Sequence, residues 1–138
     1  MTIAASSAFG ATRAPVLVIE DEPSVILFIQ AALERSGYSV VPAPSGVEAL
    51  GLLAQDGADF LGVISDMRTP GGVTGADVHA WIVQHRRDLV GRVVFITGDT
   101  VNDETTRLLR DTGAPCIEKP FRVAELLATV EATFGRRP

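Results

Sequence analysis

The chain has 138 residues, 46% of them hydrophobic and 21% charged, which is typical of one compact soluble domain and excludes wholesale disorder. Its net charge of −5 disfavours nucleic-acid binding, and no apolar stretch is long enough to span a membrane. The single cysteine, Cys116, excludes an internal disulfide, so we expect a reducing, cytoplasmic setting.

Apolar strands alternate with amphipathic helices along the chain. Residues 1–13 are small, polar and aperiodic, so we expect a flexible N-terminal extension before a single domain at residues 14–138. Short apolar runs predict five strands, at 15–19, 38–41, 60–65, 93–96 and 116–117. Periodicity and capping residues predict five helices, at 23–36, 45–54, 78–85, 102–111 and 123–134.

Strict alternation of buried strands and helices predicts a parallel sheet with helices on both faces. The length and the number of elements favour a flavodoxin-like, doubly wound α/β fold with strand order 2-1-3-4-5. In the first helix Val25, Phe28 and Ile29 recur at helical spacing with Ala32 and Leu33, so we expect this stripe to face the sheet.

Polar side chains stand where four of the five predicted strands end. Glu20 and Asp21 follow the first strand, and Asp66 follows the third. Thr97 follows the fourth strand, and Lys119, the only lysine, follows the fifth. Because the carboxyl ends of parallel strands share one edge of a sheet, we expect three carboxylates, a hydroxyl and an ammonium to meet there.

Three carboxylates at one site need compensation, since unit charges about 4 Å apart repel by roughly 4 kcal/mol at an effective dielectric of about 20. An acidic set of oxygen ligands favours Mg²⁺, or Mn²⁺, over zinc. We expect Asp21 to bind the metal directly and Glu20 to bind it directly or through water. Asp66, central in strand order, is the best candidate for a nucleophile that accepts a phosphoryl group, with Thr97 and Lys119 on the phosphoryl oxygens.

Four segments resemble the receiver domains of response regulators: VLVIEDEP at 16–23, ISDMRTP at 64–70, FITG at 95–98 and EKPF at 118–121. Their order and spacing match that family over about residues 14–135. The resemblance implies that Asp66 receives phosphate from a histidine kinase or a histidine phosphotransfer protein. It also implies that Mg²⁺ is held by Asp21, Asp66 and the backbone carbonyl of Arg68.

Two departures from the family pattern concern the readout of phosphorylation and the fit of partners. Cys116 stands where the family usually carries Tyr or Phe, so the aromatic part of the usual switch is missing. This feature resembles the receiver domains attached to hybrid histidine kinases. The loop after Asp66 is one residue longer than usual and carries Thr69 in place of the common Met, so we expect an altered fit to partners there.

Arg68 lies two residues after Asp66, where its side chain can overhang the phosphate. Asp99, two residues after Thr97, is a candidate ion-pair partner for it. We hypothesise that this pair tunes dephosphorylation. The phosphate lifetime of an Arg68→Ala variant tests the hypothesis, and an unchanged lifetime would contradict it.

Ile26 and Leu27 add apolar surface beyond the stripe of the first helix that faces the sheet. One interpretation is an ordinary, slightly apolar surface helix. The other is a docking face for the helices of a kinase or phosphotransfer protein, completed by Pro120 and Phe121.

We therefore expect a stand-alone phosphoacceptor domain that signals through protein contacts, is no more than slowly self-dephosphorylating, and is a monomer or weak homodimer. One alternative is a degenerate receiver that acts as a scaffold without phosphorylation. The other is a metal-dependent phosphatase with an aspartyl-phosphate intermediate. The phosphatase is disfavoured because such enzymes usually carry a second acid where this chain has Arg68.

Overall fold

The structure, a computed structural model, describes residues 14–98 and 103–135. Five parallel strands form one sheet in the order β2-β1-β3-β4-β5. The strands are β1 (Val16–Ile19), β2 (Val40–Ala43), β3 (Gly62–Asp66), β4 (Val93–Thr97) and β5 (Cys116–Glu118). The helices are α1 (Pro23–Arg35), α2 (Gly46–Leu53), α3 (Gly75–His85), α4 (Asp103–Thr112) and α5 (Val123–Phe134). The predicted flavodoxin-like fold and strand order are confirmed.

The apolar side chains of the strands pack into two separate core layers, one on each face of the sheet. In β1, Val16 and Val18 pack on the side of α1 and α5, whereas Leu17 and Ile19 pack on the side of α2, α3 and α4. Successive side chains of a strand point to opposite faces, so a strand covered on both faces is apolar throughout. The polar groups that do occur in the strands are thereby confined to the strand ends.

Most predicted elements lie within two residues of their observed bounds, but the third helix begins at Gly75, three residues before its expected start. The second strand is displaced by two residues at both ends. This strand is predicted at 38–41 but spans Val40–Ala43, because Gly37 (φ 94°) ends α1 and Tyr38 is buried in the core layer of α1 and α5. The expected extension at residues 1–13 lies outside the described residues. None of the helices in the described ranges combines the length and the apolar character that a membrane-spanning segment needs.

One expectation for α1 is wrong. Ile29, Ala32 and Leu33 are buried against the sheet as predicted, but Phe28 is 41% exposed. Its ring instead meets Phe121 edge to face, with centroids 5.7 Å apart. Phe28 therefore lies at the margin of the core, where it contributes to a surface next to Lys119.

The glycine that begins β3 makes room for the last aromatic side chain of α5. A Cβ on Gly62 would lie 2.3 Å from the Phe134 ring, whereas a Cβ on Gly51 of α2 meets no heavy atom within 4 Å. We expect Gly62→Ala to lower the free energy of unfolding by roughly 1–3 kcal/mol through overpacking. The control Gly51→Ala is expected to raise it by about 0.5–1 kcal/mol, because alanine favours a helix interior. Urea unfolding measures both, and a neutral Gly62→Ala would contradict the packing.

Candidate functional site

The carboxyl ends of the central strands bring the predicted polar residues to one edge of the sheet. Asp66 is the last residue of β3 and pairs with Ile96 of the neighbouring β4, whose last residue is Thr97. The N–H of Lys119 donates to the carbonyl oxygen of Thr97 at 2.8 Å, which brings the end of β5 to the same edge. Glu20 directly follows β1, which pairs with β3.

These residues differ in their exposure to solvent. Glu20 is fully buried, Asp66 is 7% exposed and Thr97 is 4% exposed, whereas Asp21 is exposed. Glu20 and Asp21 therefore have different surroundings, although they are neighbouring acids and the sequence gives no sign of the difference. Asp21 is the solvent-accessible member of the pair.

The ammonium group of Lys119 lies among three carboxylates. Its Nζ is 3.0 Å from Asp66 Oδ2, 3.1 Å from Glu20 Oε1 and 3.1 Å from Glu22 Oε1. Burial alone would lower the pKa of Lys119, but the hydrogen bonds to Asp66, Glu20 and Glu22 outweigh it and raise that pKa above its ordinary value. The lysine therefore stays charged at any physiological pH and offsets part of the repulsion among the acids.

Glu20 shows that one ammonium does not fully compensate this site. Burial, together with the charge of Asp66, raises the pKa of Glu20 to about 7, against the hydrogen bonds from Lys119 and the Glu22 N–H. Its Oε1 lies near the Lys119 Nζ without accepting a hydrogen bond from any described residue. A buried carboxylate oxygen without a donor is costly, and a cation would satisfy it.

Glu20, Asp21 and Asp66 form a group that could hold a metal ion. Each contributes one carboxylate oxygen, and these atoms lie within 4.8 Å of one another. The donor set contains oxygen only, one of its buried oxygens lacks a hydrogen bond, and one of its members is open to solvent. These features fit a hard divalent cation.

Both oxygens of the Asp66 carboxylate have partners. Lys119 donates to Oδ2, and the backbone N–H of Arg68 donates to Oδ1 at 3.2 Å. The Arg68 side chain is exposed, and Asp99 lies outside the described residues. The tuning role of this pair therefore stays a prediction.

Cys116 is half-buried at the start of β5, opposite Phe95 in the register, and packs on the side of α2, α3 and α4. Burial, assisted by the charge of Glu118, raises the pKa of its thiol to about 11, so it is neutral at physiological pH. It adds a small apolar group and no ring there. Its predicted effect on the readout of phosphorylation stays a prediction.

The predicted docking residues do not all share one surface. Pro120 and Phe121 line a groove of about 420 Å³ together with Val25, Phe28 and Lys119. Leu27 is 66% exposed on the same helix, whereas Ile26 is half-buried and does not line the groove. The docking role of all four residues stays a prediction.

Two residues of this region were missed by the sequence analysis. Glu22 binds Lys119 from the N-cap position of α1, and the acidic run Glu20-Asp21-Glu22 was the signal that could have included it. Phe28 lines the groove, and its place at the margin of the apolar stripe was the corresponding signal.

Comparisons with known proteins agree with this geometry. Residues 16–131 match the response regulator receiver domain family. Over 86% of its length the chain is 34% identical to the uncharacterized transcriptional regulatory protein YkoG of Bacillus subtilis, covering 50% of that protein. Over 90% of its length it is 30% identical to the sensor kinase CckA of Brucella abortus, covering 13% of that protein.

Among solved structures, the chemotaxis protein CheY4 of Vibrio cholerae superposes with a TM-score of 0.74 at 30% identity, over 88% of this chain and 98% of that one. The chain spans about half the length of YkoG and of other transcriptional regulators that it matches. The matched family model covers every strand of the sheet and the acidic edge of the site. The chain therefore belongs to the response regulator receiver domain family.

Proposed function

We propose that Asp66 accepts a phosphoryl group from the phosphohistidine of a histidine kinase or histidine phosphotransfer protein, and that the phosphorylated domain signals through protein contacts. The supporting observation is the setting of the Asp66 carboxylate. It is buried at a strand end, held at both oxygens by Arg68 N–H and Lys119, and adjacent to Glu20 and Asp21. A carboxylate fixed in this way is oriented for attack on an incoming phosphorus atom.

In this reaction an Asp66 carboxylate oxygen forms a bond to phosphorus, and the bond between phosphorus and the histidine nitrogen breaks. The electron pair of the broken bond stays on the imidazole. Mg²⁺, bound by Asp21, Asp66 and the Arg68 carbonyl with Glu20 directly or through water, would neutralise charge on the phosphoryl oxygens. The same set of ligands would accept Mn²⁺.

Lys119 would change partners as the reaction proceeds. Its ammonium is within 3.1 Å of oxygens from Asp66, Glu20 and Glu22, so a short movement brings it to a phosphoryl oxygen. Thr97 is buried at the end of the adjacent strand, where its hydroxyl would meet another phosphoryl oxygen. These two groups supply the positive and donor contacts that phosphoryl transfer requires.

Incubation with acetyl phosphate and Mg²⁺, followed by intact mass, tests the proposal. We expect a gain of one phosphoryl group that is absent with EDTA and decays slowly after the donor is removed. No gain with Mg²⁺ would favour the scaffold alternative. Continuous release of inorganic phosphate over many turnovers would favour the phosphatase.

A further inference from the structure

One hydroxyl group holds the loop between β3 and α3, residues 67–74, against the first turn of α2. Thr69 Oγ1 donates to the carbonyl oxygen of Val73 and accepts from the N–H of Gly46 at 3.2 Å. The hydroxyl thus uses both its donor and its acceptor capacity. We call the contacts that join Gly46, Thr69 and Val73 the loop clamp.

The loop rests directly on the backbone of α2. A Cβ on Gly46 would lie 2.7 Å from Val73 Cγ1 and 2.8 Å from the carbonyl oxygen of Val73, so no larger residue fits without a shift of the loop. Gly46 is the first residue of α2, and its N–H has no acceptor within the helix. The loop clamp therefore satisfies a helix donor and fixes the distance between helix and loop.

The same loop returns to Asp66 at its other end. Gly75 N–H donates to the carbonyl oxygen of Met67 at 3.0 Å, and a Cβ on Gly75 would lie 2.7 Å from the carbonyl oxygen of Asp66. Gly71 and Gly72 have φ of 87° and 80°, the left-handed conformation that reverses the chain. The loop is thus closed on Asp66 at its ends and fixed to α2 by the loop clamp.

We propose that Thr69 is a positioning residue, which acts through the loop clamp on the cation site and on Asp66. This role rests on the proposed function, because it concerns the expected metal ligand, the Arg68 carbonyl. That carbonyl carbon is bonded to the nitrogen of Thr69, and Arg68 N–H donates to Asp66 Oδ1 at 3.2 Å. Displacement of Thr69 therefore moves both groups, and Mg²⁺ tolerates little departure from octahedral geometry.

The test compares Thr69→Val, which keeps the shape and loses both hydrogen bonds, with Thr69→Ser, which keeps the hydroxyl. Isothermal titration calorimetry with MgCl₂ on the unphosphorylated chain gives the dissociation constant. We expect Thr69→Val to weaken Mg²⁺ binding about tenfold, because it loses two hydrogen bonds of a half-buried hydroxyl, and Thr69→Ser to stay within about twofold of the wild type. The rate of phosphorylation by acetyl phosphate should likewise fall more in Thr69→Val than in Thr69→Ser.

A second pair of variants approaches the loop clamp from the helix side. Gly46→Ala forces Val73 away and should also weaken Mg²⁺ binding, whereas Gly51→Ala, on the same helix with open space, should not. If Thr69→Val does not fold, this pair of variants tests whether the loop clamp positions the cation site. Thermal unfolding without metal accompanies each measurement and reports any loss of stability separately.

Unchanged Mg²⁺ affinity in folded Thr69→Val, even with a lower Tm, would overturn the positioning role and leave the proposed function intact. The same affinity for Gly46→Ala and Gly51→Ala would also overturn it. A wild-type chain that neither binds Mg²⁺ nor takes up phosphate would overturn the proposed function, and the positioning role with it.

Discussion

Asp66→Asn is expected to abolish the uptake of phosphate from acetyl phosphate, with a rate at least about 100-fold below that of the wild type. Asparagine has nearly the same shape as aspartate, and its amide oxygen can still accept a hydrogen bond from Lys119 or the Arg68 N–H. The fold should therefore survive. The variant lacks the anionic oxygen that forms the bond to phosphorus in the proposed reaction. We expect Glu20 and Asp21 to serve as metal ligands and not to replace it.

The matched control is Asp56→Asn, the same change at an exposed acid in the turn after α2, at the opposite edge of the sheet. Intact mass after incubation with acetyl phosphate and Mg²⁺ should show one phosphoryl group on the control and none on Asp66→Asn. Uptake by Asp66→Asn at the wild-type rate would mean that another side chain is the acceptor. Equal loss in both variants would point to a general effect of the substitution on folding, which urea unfolding would reveal.

The positions of Asp66 and Lys119 could be predicted because the carboxyl ends of parallel strands lie at one edge of a sheet. Once apolar runs identify parallel strands, the residue after each run must lie at a common edge, however far apart the residues are in sequence. Lys119 and Asp66 are 53 residues apart, yet their side chains meet at 3.0 Å. The fold and the acidic cluster follow from the same pattern.

The surroundings of that cluster could not be predicted in the same way. Helical periodicity placed Phe28 in the stripe that faces the sheet, and it carried no information on the segment after β5, whose Phe121 ring meets that of Phe28 edge to face. Thr69 departs from the family pattern, but its partner Gly46 lies 23 residues earlier, at the start of α2, so the sequence gives no signal of their contact. The contacts of a loop depend on the three-dimensional path of the chain. Loops have no periodic sequence pattern from which that path could be predicted.

The groove beside Lys119 leads to the second large expected effect. Val25, Phe28, Pro120 and Phe121 line it, and Leu27, which does not line it, is an exposed apolar residue of the same helix, α1. Because this apolar groove adjoins Lys119, we expect it to receive a helix of the phosphohistidine donor, whose imidazole has to reach Asp66 in the proposed transfer. Acetyl phosphate is too small to need such a surface.

We therefore expect Leu27→Asp and Phe28→Asp each to slow transfer from a phosphorylated histidine phosphotransfer protein about tenfold or more, as loss of an apolar anchor does at protein interfaces. Phosphorylation by acetyl phosphate should stay within about twofold of the wild type, because Glu20, Asp21, Asp66 and Lys119 are unchanged and this small donor needs no apolar groove. The control is Val83→Asp on α3, which is 42% exposed and outside the groove, and which should leave both rates unchanged. The donor is one shown to phosphorylate the wild-type domain, and transfer is followed by loss of its label. Equal slowing with both donors would contradict a docking role and assign the residues to the stability of the site.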